Sequence, residues 1–401
     1  MKKILILSLA YFPKHVGGAE VSIKEITDRM PEIEFHMVTN RYDSTLPHEE
    51  KIGNVTVHRI GLATKNPTMS DLKKFPLGLN KPLYQFLAAR EAHKLHKKYK
   101  FDAMWAVMAH ATGVPAAIFK MLHPEVGYVL NLQEGDPTPY IEQKMRPVWP
   151  LFTRGFTSAD IVQPLSNFLA NWARARGFTG PIEIIPNAVN VKHFSQMYSD
   201  VQVAAARERL GKKTGDIFLV TTSRLVTKNA VDDVIKAMSS LPDNVHFVVY
   251  GTGPDETTLG VLIKKLGLEK RVHMLGQLGH NEMPLMLRAC DIFIRPSRSE
   301  GFGASFMEAM AAGLPVIATQ EGGIADFLFD EKRNVNKPTT GWAVDKNSPE
   351  QIADVVKDII ARPEKVSEVV ATTKSLVFRK YDWDIIARDM HEKVFKRLFQ
   401  K

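Results

Sequence analysis

What most constrains the fold of this chain is a rhythm. Short apolar runs alternate with helical stretches through the first half, the pattern lapses, and then it starts again. Strands are predicted at Ile4–Leu9, Glu34–Thr39, Val55–Ile60, Asp102–Val107, Gly127–Leu132, Asp160–Pro164 and Ile182–Ile185, with helical stretches such as Ala19–Met30, Pro82–Lys98 and Asn167–Arg176 between them. Apolar strands joined through helices form a parallel sheet covered on both faces. Pro186-Asn187-Ala188-Val189-Asn190 and the polar stretch to Gly215 read as a linker. Strands then recur at Asp216–Thr221, Val245–Tyr250, Arg271–Met274, Asp291–Ile294, Pro315–Ala318 and Trp342–Val344. The expected class is α/β, with two doubly wound Rossmann-like domains facing a cleft, residues 1–190 and 191–380.

Composition narrows the setting. The chain has 401 residues, ample for two cores without metal or disulfide support, and its one cysteine, Cys290, cannot close an internal bridge, which points to the cytoplasm. Ile4–Ala10 after two lysines is at the short limit for a signal peptide, lacks a small-x-small cleavage site and meets charge again at Lys14, so it reads as a buried first strand. No run of about 18 apolar residues occurs. The net charge of +9 favours an anionic partner without choosing one.

In open α/β sheets, ligands sit beyond the carboxyl ends of the strands, at loops and helix starts. The richest such segment is Pro296-Ser297-Arg298-Ser299-Glu300-Gly301-Phe302-Gly303-Ala304-Ser305-Phe306-Met307-Glu308, followed by Ala309-Met310-Ala311-Ala312-Gly313. Its glycines let backbone amides approach an anionic ligand. Glu300 is expected in the loop near a sugar and phosphate, and Glu308 on the helix, where it can accept from both hydroxyls of a ribose.

With these residues in view, the chain resembles the retaining nucleotide-sugar glycosyltransferases of family 4. Further marks in order are Gly17-Gly18-Ala19-Glu20, Ile185-Pro186-Asn187, Ser223-Arg224-Leu225 with Lys228, Gly251-Thr252-Gly253-Pro254, Gly276 and Glu321-Gly322-Gly323. The resemblance implies the GT-B architecture, a donor held mainly by the C-terminal domain, an acceptor on the N-terminal domain, and a last helix (381–401) that returns to the first domain. It implies Arg224 and Lys228 on the donor diphosphate, where a basic pair would stabilise the leaving group. It places Gly17 and Gly18 near the donor phosphate and acceptor. Asn187, Gly251, Gly253, Gly276, Gly301, Phe302 and Gly303 join the donor-binding set. The donor would be a UDP- or GDP-sugar and the acceptor a lipid-linked, polysaccharide or small-molecule species, with a role in cell-envelope polysaccharide synthesis.

No cofactor or metal is expected. The one Asp-x-Asp pair, Asp382-Trp383-Asp384, opens the last helix, with Asp382 as its N-cap. The stretch from Gly251 lacks the third glycine of a dinucleotide fingerprint, which disfavours a nicotinamide enzyme. One departure matters: Gln133 stands where many relatives carry a histidine, so Glu134 or Asp136 would position acceptor or donor sugar, or the segment is a plain turn before Pro137. His110 is a further candidate beside the same loop. A sugar-nucleotide epimerase of the same architecture and an inactive sugar-nucleotide binding protein are the alternatives.

From Lys65 to Lys100 there are nine basic residues and two acidic ones. Either a peripheral membrane contact or a lysine-rich solvent face accounts for them, with Leu83, Phe86, Leu87 and Leu95 as the apolar face of the helix. Without aromatic stacking motifs, nucleic acid is not the expected partner.

Overall fold

The computed structural model describes residues 1–68 and 70–400, so Met69 in the basic segment and Lys401 at the end of the expected returning helix lie outside it. The chain divides into two compact units, Met1–Asn187 with the segment from Trp383, and Ala188–Asp382.

The first unit is built on seven strands: β1 (Lys2–Leu7), β2 (Ile33–Asp43), β3 (Glu49–Ile52), β4 (Val55–Thr64), β5 (Ala103–Val107), β6 (Gly127–Leu132) and β7 (Ile161–Pro164). They lie in the order β3-β4-β2-β1-β5-β6-β7. All pairings are parallel except β3 with β4. β5 and β6 are buried along their whole length, as strands covered on both faces must be. β3 is an unpredicted hairpin edge. Its sequence Glu-Glu-Lys-Ile is too polar to read as a strand, yet such charge protects an edge from pairing with other chains. The predicted strand Ile182–Ile185 is reduced to one bridge to Val162 and one further backbone bond, Ile185 N to the Pro164 carbonyl, beside β7, and Pro181 before it has no N–H to extend the pairing.

The last helical segment starts at Trp383 and packs in this unit, with Phe395 against Phe35 and Trp105. Arg29 Nε donates to Asp384 at 2.6 Å.

The second unit has six parallel strands: β8 (Ile217–Thr222), β9 (Val245–Tyr250), β10 (Val272–Gly276), β11 (Ile292–Arg295), β12 (Val316–Ala318) and β13 (Trp342–Ala343). Their order is β10-β9-β8-β11-β12-β13. Leu219, Phe247, Ile294, Ile317 and Val344 belong to one of its buried clusters. The expected linker up to Gly215 is largely helical, over Val191–Ser195 and Asp200–Arg209. Its polar sequence misled because the second helix is mostly solvent-facing; Asn190 and Ser199 cap the two helices by accepting from His193 N and Gln202 N.

Each sheet has a switch point where strand order reverses, between β1 and β5 in the first unit and between β8 and β11 in the second. The crevice beyond such a point is where open α/β sheets bind ligands.

Candidate functional site

The loops leaving β8 and β11 bring together the residues the motifs single out. From β8 come Ser223, Arg224 and Leu225, then a short turn (Thr227–Asn229) carrying Lys228. From β11 come Arg295, Ser297 and Glu300, then the helix Ala304–Ala312 with Glu308 as its fifth residue.

Arg295, which the motif reading missed, joins these loops. Its guanidinium donates to Ser297 Oγ at 3.1 Å, Ser305 Oγ at 2.7 Å and Asn229 Oδ1 at 3.2 Å, and pairs with the Glu300 carboxylate. It also lies over the Phe306 ring, 5.3 Å from its centre. Asn229 in turn donates to the Arg224 carbonyl at 2.7 Å. The backbone of Arg224 is therefore linked through two side chains to Glu300, while the Arg224 side chain itself is exposed and has no partner among the described residues. Position within the strand hides Arg295 from motif reading. Its only sequence signal is a charged residue ending an apolar strand.

The glycines divide into two kinds. A Cβ on Gly251 would fall 1.8 Å from the Ser223 carbonyl oxygen, and one on Gly253 would fall 2.2 Å from that of Leu225. Both glycines let the β9 loop press against the Arg224 loop. Gly322 does the same for Glu300, whose carbonyl oxygen would lie 2.1 Å from the added carbon and accepts from Gly323 N at 2.9 Å. By contrast Gly276 and Gly18 have open space around them. Gly17 N donates to Glu20 Oε2 at 2.9 Å, a cap on the helix Gly18–Asp28.

Glu300 also accepts from Gly301 N at 3.1 Å. Gly303 has φ +87°, which opens the helix bearing Glu308, and Phe302 is buried against Phe327 and Tyr381. Glu308 is half-buried and has no hydrogen-bond partner among the described residues. Burial pushes its carboxyl up to about 7, opposed by the charge of Arg295. Arg298 is spent differently: it donates to Asp232 at 2.9 Å and Asp233 at 2.7 Å and fixes the Lys228 carbonyl through its own N–H at 2.7 Å.

In the first unit, Glu134 follows β6 and is 1% exposed; its Oε1 lies 3.4 Å from both His110 N and His110 Nδ1, and its Oε2 has no partner. Gln133 faces away from this pair, into a line of four buried amides. Gln163 Nε2 donates to the carbonyls of Ile185 (2.6 Å) and Pro164 (3.2 Å). Those acceptors fix its orientation, so Gln163 Oε1 must accept from Asn131 Nδ2 at 2.5 Å. Asn131 Oδ1 then accepts from Gln133 Nε2 at 2.6 Å, and Gln133 Oε1 from Asn187 Nδ2 at 3.2 Å. The line ends on Asn187 Oδ1, a buried acceptor without a partner. The polarity of every amide follows from the first.

One trio among the described residues has metal-ligand spacing, His96, His123 and Glu125. His96 Nδ1 accepts from Phe101 N at 3.2 Å, so the neutral ring carries its proton on Nε2, the atom facing Glu125 at 3.5 Å. That arrangement suits a hydrogen bond better than a cation.

Comparison with known proteins follows these two units. A family described as "Glycosyltransferase Family 4" matches residues 16–193, and one described as "Glycosyl transferases group 1" matches residues 202–375. A GDP-mannose-dependent alpha-(1-6)-phosphatidylinositol monomannoside mannosyltransferase of Mycobacterium tuberculosis is 28% identical over 239 residues, 57% of this chain and 60% of that protein. The match thus spans about 60% of the length of that relative. An uncharacterized glycosyltransferase of Methanocaldococcus jannaschii is 23% identical over 95% of both chains. Among solved structures, sucrose-phosphate synthase from Thermosynechococcus elongatus superimposes with a TM-score of 0.81 at 18% identity, over 100% of both chains. Anabaena HepE in complex with UDP and glucose gives 0.76 at 20% identity, over 99% of this chain and 100% of that one. These likenesses establish the GT-B type of fold, two Rossmann-like domains. The two domain matches, which between them take in most of the chain, identify it as a glycosyltransferase with a Family 4 domain followed by a group 1 domain.

Proposed function

We propose that this chain moves a sugar from a nucleotide diphosphate sugar to an acceptor with retention of anomeric configuration and without a metal. The observation that carries the reading is that the Arg224 loop after β8 and the Glu300 loop after β11 are tied together through Asn229 and Arg295, with Lys228 on the first loop and Glu308 on the helix that follows the second. There Glu308 would hold the ribose, and Arg224 with Lys228 the diphosphate. As the glycosidic bond breaks, charge gathers on the departing diphosphate, and a guanidinium reaching it from the β8 loop would stabilise that charge. Glu300 and the backbone at Gly301, Phe302 and Gly303 would face the donor sugar. The first unit would take the acceptor near Glu134, with Gly17, Gly18 and Asn187 close to the transferred group.

The donor class is a UDP- or GDP-sugar; the mannosyltransferase relative is named for GDP-mannose, and the HepE structure holds UDP and glucose. A lipid-linked acceptor is favoured because relatives are named for phosphatidylinositol mannoside and diacylglycerol products. No helix among the described residues is long and apolar enough to cross a membrane, and the proposed position is peripheral, on the cytoplasmic face.

The test is incubation of the protein with a panel of UDP- and GDP-sugars and candidate acceptors. Release of nucleoside diphosphate together with a new glycoside of the donor's anomeric configuration, read by NMR, supports the proposal. Interconversion of the sugar while still attached to the nucleotide would assign an epimerase instead, and donor binding without turnover on any acceptor would leave a binding protein.

A further inference from the structure

Arg298 stands inside the motif loop after β11, between Ser297 and Ser299, yet its side chain takes no place in the donor set. Its contacts explain why. A guanidinium has five N–H donors, and here each meets an oxygen of the protein. Nε donates to Asn347 Oδ1 at 2.5 Å. Nη1 donates to the Thr227 carbonyl at 2.5 Å and to Asp232 Oδ1 at 2.9 Å, and Nη2 to Asp232 Oδ2 at 3.0 Å and Asp233 Oδ2 at 2.7 Å. With those donors occupied, Arg298 has none to offer a phosphate. What it holds instead is the turn Thr227–Asn229. Its guanidinium takes the Thr227 carbonyl and its backbone N–H takes the Lys228 carbonyl at 2.7 Å, so the peptide groups on both sides of Lys228 end on one residue. Thr227 Oγ1 also donates to Asp255 at 2.9 Å, and Asn229 is held between the Arg224 carbonyl and Arg295. The turn closes at Ala230, whose φ of +54° is a left-handed conformation that alanine keeps only where its surroundings impose it. Arg295 and Arg298, three residues apart on one segment, thus fasten the β8 loop at two points, one behind Arg224 and one at Lys228.

Charge gives the clamp a second effect. Asp232 and Asp233 follow Lys228 by four and five residues, and Asp233 is buried. Lys236 Nζ lies 2.7 Å from Asp232 Oδ2 and 3.2 Å from Asp233 Oδ1, so Arg298 and Lys236 together balance the two carboxylates. Without Arg298, one carboxylate charge next to the turn is left unanswered and competes with any diphosphate for the Lys228 ammonium. We infer that Arg298 is a positioning residue for diphosphate binding, acting through Lys228: it fixes the turn that carries the lysine and keeps Asp232 and Asp233 from claiming it. This rests on the reading of Lys228 as a diphosphate ligand given above, and adds a residue that touches no substrate.

The experiment is calorimetric titration of the full chain with UDP and with GDP, arranged as a double-mutant cycle on whichever nucleotide the wild type binds. Lys228→Ala should weaken binding at least about tenfold, and Arg298→Met roughly tenfold. In the Lys228→Ala background, Arg298→Met should change affinity by less than about twofold, because the group it serves is gone. A role confined to folding would cost the same in both backgrounds. Arg298→Lys keeps the charge without the planar fork, so its affinity should fall between wild type and Arg298→Met. Thermal unfolding shows whether Arg298→Met is folded, and if it is not, Arg298→Lys carries the same cycle. An equal loss from the Arg298 variant in both backgrounds, or weakening by Lys228→Ala with none by the Arg298 variant, overturns this inference and leaves the donor site standing. Absence of UDP and GDP binding by the wild type, or Lys228→Ala binding as tightly as wild type, overturns the diphosphate reading and this inference together.

Discussion

Replacing Glu308 by glutamine should flatten the pH dependence of stability and raise stability at alkaline pH. The carboxyl ionises near 4.5 in an unfolded chain and near 7 in the folded one, because burial disfavours its charge. Below pH 4.5 both states hold the proton. Between 4.5 and 7 only the unfolded state ionises, so the folded state loses ground by up to about 1.4 kcal/mol per pH unit. By pH 8 the accumulated loss would slightly exceed about 3 kcal/mol for a fully buried group, and is roughly 2 kcal/mol once the partial exposure of the side chain is allowed for. Glutamine has no proton to lose and nearly the same shape. Urea unfolding of both proteins at pH 5 and pH 8 measures the difference, which should be small at the lower pH and near its full value at the higher. A ribose that donates two hydroxyls to this carboxylate favours its charged form, so nucleoside diphosphate binding near pH 7 should release a proton. Calorimetry in buffers of different ionisation enthalpy reads that release, and Glu308→Gln should abolish it together with most of the affinity. Parallel stability profiles for the two proteins would refute the burial argument, and proton release that persists in the variant would refute the assignment of Glu308 to the ribose.

Other substitutions probe the rest of the site. Arg224→Ala should lower turnover on the order of a hundredfold while leaving the melting temperature almost unchanged, since its side chain has no partner among the described residues; unaltered turnover would remove it from the leaving-group role. Gly251→Ala should destabilise by roughly 3 kcal/mol or more, because the added carbon meets the Ser223 carbonyl and the backbone sits at φ +144°; chemical denaturation reads this, and a neutral result would contradict the packing of the two loops. In a double-mutant cycle, Arg295→Met and Glu300→Gln should be coupled by about 1–3 kcal/mol, whereas additive effects would mean the pair acts separately. Gln133→Glu sets a carboxylate oxygen against Asn131 Oδ1, so its folded-state carboxyl should be protonated and raised in pKa, and the variant should lose stability relative to wild type as pH rises from 5 to 8. Equal deficits at both pH values would show that the amide line does not govern its orientation.

Much of the fold was legible because parallel strands buried on both faces announce themselves as uninterrupted apolar runs. β6 (Gly127–Leu132) and β9 (Val245–Tyr250) have the predicted limits, since each is apolar but for one residue, Asn131 and His246, and ends at a polar or glycine-bearing loop. What escaped was decided by neighbours distant in sequence. The edge strand Glu49–Ile52 takes its conformation from β4, and the stretch before Gly215 becomes helix although little of it is buried. In the site, Glu300 and Glu308 are visible as a motif because their spacing is local. Arg295 and Asn229 are not, because their meeting depends on β8 and β11 lying side by side. The resemblance puts Gly251 and Gly253 in the donor-binding set, and their crowding against Ser223 and Leu225 shows a structural use, the seating of one loop on another.

The four amides from Gln163 to Asn187 have a direction, and direction makes tolerance to change unequal along the line. Substituting Asn187 removes only the last member and leaves the three before it bonded as they were. Substituting Gln163 removes the anchor on the Ile185 and Pro164 carbonyls, and with it the reason for any of the others to point one way. Damage therefore travels from the sheet outward and not back. Asn187, the member proposed to lie nearest the transferred sugar, is the one whose replacement disturbs the line least, while the residue that sets its polarity lies on β7, at one edge of the first sheet.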